Sequence, residues 1–217
     1  MSATPRYSFD DMEIAPGYTV RDWTCLELQC ISSEDWSQAI RIFESRICRR
    51  FLDPVDLLIA HEMDKPRGTF GFAIMAVDCL VIETIQRFIE GRTQSGENGR
   101  LFRAFLSERL SSWFDDGVSN DSKADRFYRN CRCALHHSGQ TDADLRLCRT
   151  GPLIRFDSDL GIIVNRTGFH EAIKCEFTRY LGDLSDGTDS RLRENFRRVM
   201  NALCGVEQTN GLHHHDD

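Results

Sequence analysis

The chain has 217 residues, of which 41% are hydrophobic and 28% are charged, and its formal net charge is −7. This composition is typical of a globular protein with one domain, and the acidic balance excludes a generic nucleic-acid-binding surface over the whole molecule. Lysine occurs at only three of the 27 basic positions, so arginine supplies the rest. Genomic base composition can produce this bias, but arginine also binds phosphates and carboxylates through its planar fork.

The cysteines and the N-terminus predict a reducing, cytoplasmic location. The nine cysteines are scattered along the chain, and the start, MSATPRYSFDD, lacks a basic segment followed by an apolar run. We therefore expect no signal peptide and no disulfide framework. Asp78 and Glu83 interrupt the longest apolar run, around residues 70–85, which predicts a core helix and not a membrane span.

The N-terminal third is predicted to be an irregular arm followed by helices. Residues 1–31 show no steady hydrophobic period, apart from a short extended piece predicted at TCLELQC. Ser32–Ser33, followed by two acidic residues, predict a helix start. Asp53 before Pro54 predicts that another helix begins there. Between them, apolar residues recur three and four apart, as on one helix face: Trp36, Ile40, Phe43, Ile47 and Phe51.

The stretch Phe70–Ile89 is apolar almost all round, which predicts a central bundle helix that ends at Gly91. Seven of its side chains are expected inside: Phe72, Ile74, Val77, Leu80, Val81, Ile85 and Phe88. Glu83 within this stretch needs a partner if it is buried. We predict that Arg129 or Arg132 supplies it, the alternative being an exposed stripe.

The remaining chain is predicted to form helices around a small sheet. Helices are expected over roughly 99–115, from Asn120–Asp121 to near Gly139, and near 169–182 and 188–203. The segments LRLCR, LIRF and LGIIVNR predict a small antiparallel hairpin or three-stranded meander. The predicted domains are the arm 1–31, a helical domain 32–205 and a disordered tail 206–217, which ends in TNGLHHHDD.

The segment YRNCRCALHHSGQT, residues 128–141, concentrates arginine and histidine around two cysteines. Zinc sites usually show paired Cys-x2-Cys or His-x3-His spacings, and Cys131-x-Cys133 has neither, so no metal is predicted. A Cys–His nucleophile and a solvated cationic stripe both stay open. On a regular helix His137 lies about 140° from Arg132. The two converge only if the helix end is distorted or a second chain supplies the partner.

The segment RCALHHSGQT resembles the R-x4-H signature of the HEPN superfamily, with Arg132 as the arginine and His137 as the histidine. FAIMAVDCLVIETIQRFIEG is similar to the buried helix before the motif in a plasmid- and phage-associated branch. Short strands followed by FHEAI extend the resemblance over roughly residues 35–200. It implies a mainly α fold, a HEPN-like antiparallel helical bundle with a small β-hairpin or meander inserted after the motif helix.

The resemblance implies a metal-independent endoribonuclease of a toxin–antitoxin or phage-defence system, without a cofactor. His137 would be the acid/base and Arg132 would stabilise the phosphate charge. The site would form at a homodimer interface, where each residue meets its own copy across a two-fold axis. An antitoxin or another defence-system protein is the further partner implied. The expected auxiliary or RNA-binding residues are Arg129, His136, Asn130 and Glu83.

Two alternatives stay open. Cys133 directly follows Arg132, where many active members carry Asn or Asp, and this favours a non-catalytic HEPN-like module that binds a partner protein or RNA. A second register, Arg129–Asn130 with His136, restores the asparagine and moves the catalytic pair.

Overall fold

Helices dominate the part of the chain that the computed structural model describes, residues 8–30, 33–94, 96–110 and 121–206. The mainly α prediction, with a small β insertion, is confirmed. The helices are α1 (Val20–Thr24), α2 (Asp35–Ile47), α3 (Asp53–His61), α4 (Gly71–Glu90), α5 (Asn98–Arg109), α6 (Asp121–Phe127), α7 (Ala134–Ser138), α8 (Arg166–Asp186) and α9 (Ser190–Leu203). The strands are β1 (Glu13–Ala15), β2 (Tyr18–Thr19), β3 (Leu145–Cys148), β4 (Ile154–Asp157) and β5 (Gly161–Asn165).

Helix α4 forms the centre of the bundle and contacts α5, α8 and α9. The prediction of a helix ending at Gly91 is confirmed, since Gly91 closes α4 in the left-handed conformation with φ 68°. Ile74, Val81, Ile85 and Phe88 are buried, as predicted, and Val77 is half-buried. Two further core predictions are wrong: Phe72 and Leu80 are 43% and 46% exposed. They lie eight residues apart, about 80° around the helix axis, and each lines a separate surface cavity.

The N-terminal segment differs from the irregular arm that its sequence predicted. Strands β1 and β2 form an antiparallel hairpin, and α1 follows directly. TCLELQC forms the end of α1 and turns, with no extended strand. Trp23 of α1 is buried, and its Nε1 donates to Asn201 Oδ1 at 2.8 Å. The segment is ordered by contacts with the far end of the chain, which local hydrophobic periodicity does not encode.

Residues 35–61 form one continuous helix and not the two that Asp53 predicted. The backbone of Asp53 is helical, with φ −58° and ψ −44°, so this residue does not cap a new helix. A π-helical turn, Cys48–Leu52, joins α2 to α3. Because Pro54 has no N–H to donate, a locally widened turn before it lets the helix continue.

The three-stranded sheet is mixed, with strand order β3-β5-β4. The predicted hairpin exists between β4 and β5, but the antiparallel meander is wrong because β3 runs parallel to β5. Gly161 allows this pairing, since a Cβ there would lie 2.3 Å from the Asp144 carbonyl oxygen. Strand patterns in a sequence do not specify which edge a third strand joins.

The last two helices are capped by side chains that the sequence supplies locally. Asn165 Oδ1 accepts a hydrogen bond from the Gly168 N–H at 3.1 Å, and α8 starts there, earlier than predicted. Asp189 caps α9 in the same way, since its side chain accepts a hydrogen bond from the Leu192 N–H.

No helix in the described ranges is long and apolar enough to span a membrane. The predicted tail lies outside those ranges from residue 207 onward.

Candidate functional site

The motif helix runs without interruption from Asp121 to Ser138 and contains a π-helical turn, Tyr128–Cys133, between α6 and α7. The Ala134 N–H donates to the Arg129 carbonyl five residues back. Gly139, with φ 67°, ends the helix where the sequence predicted. The π turn was not predicted, and such turns often occur at functional sites. The buried side of the helix consists of Ala124, Phe127, Cys131 and Leu135.

Arg132 forms a bidentate ion pair with Glu83 of α4, as predicted. Arg132 Nε lies 2.5 Å from Glu83 Oε1, and Arg132 Nη2 lies 3.1 Å from Glu83 Oε2. The side chains are only 16% and 12% exposed. The hydrogen bonds to Glu83 raise the pKa of Arg132, so this guanidinium stays charged at any pH at which the protein folds. Its Nη1 donates to no acceptor within the described part of the chain.

Tyr128 and Cys133 lie on the same turn as Arg132. The Arg132 Cζ is 6.0 Å from the centroid of the Tyr128 ring, and Arg103 approaches the same ring at 5.3 Å. Burial, followed by a hydrogen bond with Cys133, raises the pKa of Tyr128. Cys133 therefore interacts with a neutral phenol.

His136 and His137 lie exposed at the C-terminal end of the motif helix. Their ring centroids are 5.3 Å apart and their planes are nearly perpendicular. His136 lines a small cavity of 130 Å³ together with Glu83 and Arg132, whereas His137 does not. The helix is regular from Ala134 onward, so five residues of separation place His137 on a different side from Arg132. Within one chain, the arginine therefore meets His136 more directly than His137.

Arg129 and Asn130 bind acidic residues outside the cavity that Arg132 and His136 line. Arg129 Nη2 lies 2.6 Å from Asp125 Oδ2, and its side chain is 69% exposed. Asn130 Nδ2 donates to Asp144 Oδ2 at 3.0 Å, and Arg126 Nε donates to the same oxygen at 2.9 Å. Asn130 thus ties the motif helix to the loop before β3. Neither residue lines the cavity that contains Arg132 and His136.

The cysteines of the motif helix are not arranged as metal ligands. Cys131 is buried, with its Sγ 3.9 Å from the Sγ of Cys79 on α4. Throughout the residues that the structure describes, no group of three His, Cys, Asp or Glu side chains is positioned to hold a metal ion. The chemistry available at this position comes from the guanidinium and the two imidazoles.

A second buried polar pair, Asp78 with His170, was not predicted. The His170 Nδ1 lies 2.7 Å from Asp78 Oδ1, and both side chains are fully buried. Burial raises the pKa of Asp78, and the hydrogen bond from His170 opposes it. Asp56 Oδ1 lies 3.3 Å from the His170 Nε2 and also pairs with Lys174. The sequence signal for this pair was Asp78 within an apolar run. It did not identify the partner, because His170 lies 92 residues further along the chain.

In comparisons with known proteins, no protein-family model, no curated protein and no solved structure matches the chain.

Proposed function

We propose that the protein is a metal-independent endoribonuclease of a defence or toxin-type system. The observation that supports this best is a fixed, charged guanidinium on the same helix as two exposed imidazoles. Glu83 orients Arg132 and leaves one of its nitrogens unbonded, while His136 and His137 end the same helix. Oriented cations stabilise the charge that develops on a phosphate, and histidine is the usual proton carrier near neutral pH.

The proposed reaction uses the RNA's own 2′-hydroxyl as the nucleophile. The 2′-oxygen bonds to phosphorus as the bond from phosphorus to the 5′-oxygen breaks, which leaves a 2′,3′-cyclic phosphate and a 5′-hydroxyl. His137 takes the proton from the 2′-hydroxyl, and a second imidazole donates one to the leaving oxygen. Arg132 Nη1 binds the phosphate oxygens during this step.

A homodimer would complete this site. Arg132 and His137 leave the helix on different sides, so a second copy across a two-fold axis is needed to bring both to one phosphate. Leu80, which is 46% exposed, lines the same cavity as Arg132 and provides an apolar rim for such contact. The cytoplasm is the proposed location, since Cys79 and Cys131 lie close together as free thiols. An antitoxin would restrain the activity by covering this surface.

The decisive experiment is incubation of the purified protein with single-stranded and structured RNA in excess EDTA. Cleavage should survive the chelator and leave 2′,3′-cyclic phosphate ends. Arg132→Ala and His137→Ala should each reduce the rate by about 10²-fold or more. Arg41→Ala and His61→Ala serve as matched controls, because both residues are exposed and lie outside the candidate site. Unchanged cleavage in Arg132→Ala would refute the assignment.

His136→Ala separates the two registers. The proposed assignment predicts a smaller loss for His136→Ala than for His137→Ala. A larger loss at His136, together with a loss in Arg129→Ala, would move the catalytic pair to the second register. A larger loss at His136 alone would assign the proton transfer to the imidazole that shares the cavity with Arg132.

The second candidate is a non-catalytic HEPN-like module that binds a partner protein or RNA. Two observations favour it: Asn130 is engaged by Asp144, and Cys133 interacts with Tyr128, so no free amide or carboxylate adjoins Arg132. This reading predicts no cleavage of any RNA and tight binding of the product of a neighbouring gene. A cyclic phosphate product that depends on His137 would exclude it.

A further inference from the structure

A larger groove lies at the N-terminal end of α4, away from Glu83 and Arg132. Its volume is 590 Å³, within the range of small-molecule sites. Three arginines line it, Arg146, Arg149 and Arg166, and its wall contains no aspartate or glutamate. We call it the arginine groove. In a protein with a net charge of −7, such a concentration of cations on one concave surface is a local inversion of charge.

Two of these arginines are held by carbonyl groups and not by acids. Arg149 Nη1 donates to the backbone oxygens of Glu62 at 2.8 Å and Lys65 at 2.9 Å. Arg146 donates to the backbone oxygen of Leu160. Neither arginine lies within 4 Å of a carboxylate in the described ranges. Within those ranges neither forms an ion pair, although Arg146 also interacts electrostatically with the Asp157 carboxylate, so the excess positive charge of the groove comes chiefly from Arg149.

Arg166 forms the base of the arginine groove. Its side chain is only 3% exposed, and Nη2 pairs with the fully buried Glu62. Its Nη1 is buried and has no hydrogen-bond partner among the residues that the structure describes. A buried donor without an acceptor is costly, so this nitrogen favours an anionic or polar ligand. Gly68 permits the close packing, since a Cβ there would lie 3.0 Å from Arg166 Nη2.

The start of α4 adds first-turn N–H groups and a hydrophobic surface, next to the Thr69 and Phe70 N–H groups that already donate to the Glu62 carboxylate. Gly71 and Phe72, the first two residues of this 20-residue helix, line the groove. First-turn N–H groups have no acceptor within their own helix and carry the positive end of its dipole. Phe72 is 43% exposed, although it is a large aromatic side chain. An exposed aromatic ring in a groove that is also lined by arginines suits a ligand that has both a phosphate and a flat apolar group.

We propose that the arginine groove binds a nucleotide, with its phosphate on the arginines and the start of α4 and its base against Phe72. The phosphate belongs either to a free nucleotide or to one residue of an RNA strand. The proposal goes beyond the nuclease assignment, because the groove uses neither Arg132 nor the two adjacent histidines. Binding in the groove is non-covalent and requires no turnover.

The test is equilibrium binding to the full-length protein with three probes: AMP, inorganic phosphate and a fluorescein-labelled decamer of oligo(A) RNA. The RNA is titrated against the Arg132→Ala variant so that cleavage does not consume the probe. AMP should bind more tightly than phosphate, and its affinity should fall as salt is raised. Phe72→Ala and Arg146→Ala should each weaken AMP binding by about tenfold.

Matched controls separate binding from folding. Leu57→Ala removes an exposed apolar side chain from α3, and Arg155→Ala removes a half-buried arginine from the same sheet. Both should leave AMP affinity unchanged. Because Phe72 and Arg146 are exposed, their variants should keep the wild-type melting temperature. Arg146→Lys should restore part of the affinity lost in Arg146→Ala, since a point charge replaces the fork.

The binding results for the three probes distinguish the possible ligands. Tight RNA binding with weak AMP binding, sensitive to Phe72→Ala, supports an RNA strand as the source of the phosphate, and the reverse supports a free nucleotide. Failure of all three probes to bind at millimolar concentration would overturn the proposal. Binding of AMP no tighter than phosphate and insensitive to Phe72→Ala would also overturn it. RNA bound in the groove but never cleaved would keep this proposal while the nuclease assignment fails.

Discussion

Two Glu–Arg pairs flank α4, and they differ in what surrounds the carboxylate. Glu62 and Arg166 are 0% and 3% exposed, and the Glu62 carboxylate also accepts hydrogen bonds from the Thr69 and Phe70 backbones. The Glu83 carboxylate forms its hydrogen bonds with Arg132, and both side chains are slightly exposed. The first pair lies in the protein interior and positions the start of α4. The second lies near the surface and orients Arg132.

The largest expected effect is on the buried pair. Glu62→Gln should lower the free energy of unfolding by about 3–5 kcal/mol at pH 7, because Arg166 would remain charged, buried and without its counter-ion. Urea denaturation followed by circular dichroism measures this, with Asp11→Asn, in the exposed pair with Arg21, as the control. A cost below about 1 kcal/mol would contradict the structural role of Glu62.

The pH dependence of stability tests the role of the buried Glu62–Arg166 pair separately. Burial would raise the pKa of Glu62, but hydrogen bonds from Thr69 and Phe70 and the charge of Arg166 outweigh it and lower the pKa from 4.5 to about 2. The stability that this carboxylate contributes is therefore complete above pH 4.5 and is lost as pH falls from 4.5 toward 2. The loss amounts to about 3 kcal/mol at 1.36 kcal/mol per pH unit.

Denaturation of the wild type and Glu62→Gln across pH 2–7 checks this sign. The difference in stability between the two proteins should shrink as the solution becomes more acidic, since glutamine resembles the protonated acid. A difference that stays constant from pH 6 to pH 2.5 would mean that Glu62 does not titrate in this window.

A smaller effect is expected for the pair at the candidate site. Glu83→Gln should cost about 1–2 kcal/mol, because Arg132 is close enough to the surface to turn toward water. If the nuclease proposal holds, RNA cleavage should fall more strongly than stability, since the guanidinium loses its orientation. A stability loss equal to that of Glu62→Gln would remove the distinction between the two pairs.

The smallest effect is expected for the exposed pair on the motif helix. Arg129→Ala should change stability by at most about 0.5 kcal/mol, because Arg129 is 69% exposed and its contact with Asp125 is screened by water and salt. Thermal unfolding at low and high salt measures this. A loss above about 1.5 kcal/mol would show that Arg129 has a structural role that its exposure does not indicate.

Much of the candidate site was accessible from the sequence. A carboxylate within the apolar stretch of α4 had to find a cation, and Arg132 lies on the helix that packs there through Cys131. The relation of Arg132 to the two histidines was less accessible. It depends on a π turn and on the point at which α7 becomes regular, and neither has a signal in residue type.

The long helix α4, its end at Gly91, the end of the motif helix at Gly139 and the burial of most of α4 followed from the sequence alone, because periodicity and capping are local properties. The tertiary structure decided the parallel pairing of β3, the exposure of Phe72 and the arginine groove. These features depend on which faces meet after residues distant in the chain come together. Arg146 and Arg166 are cations of the same kind as the other arginines until the packing of β3, α8 and α4 brings them to one surface. Local residue patterns carry no information about that convergence, because it arises from packing between elements.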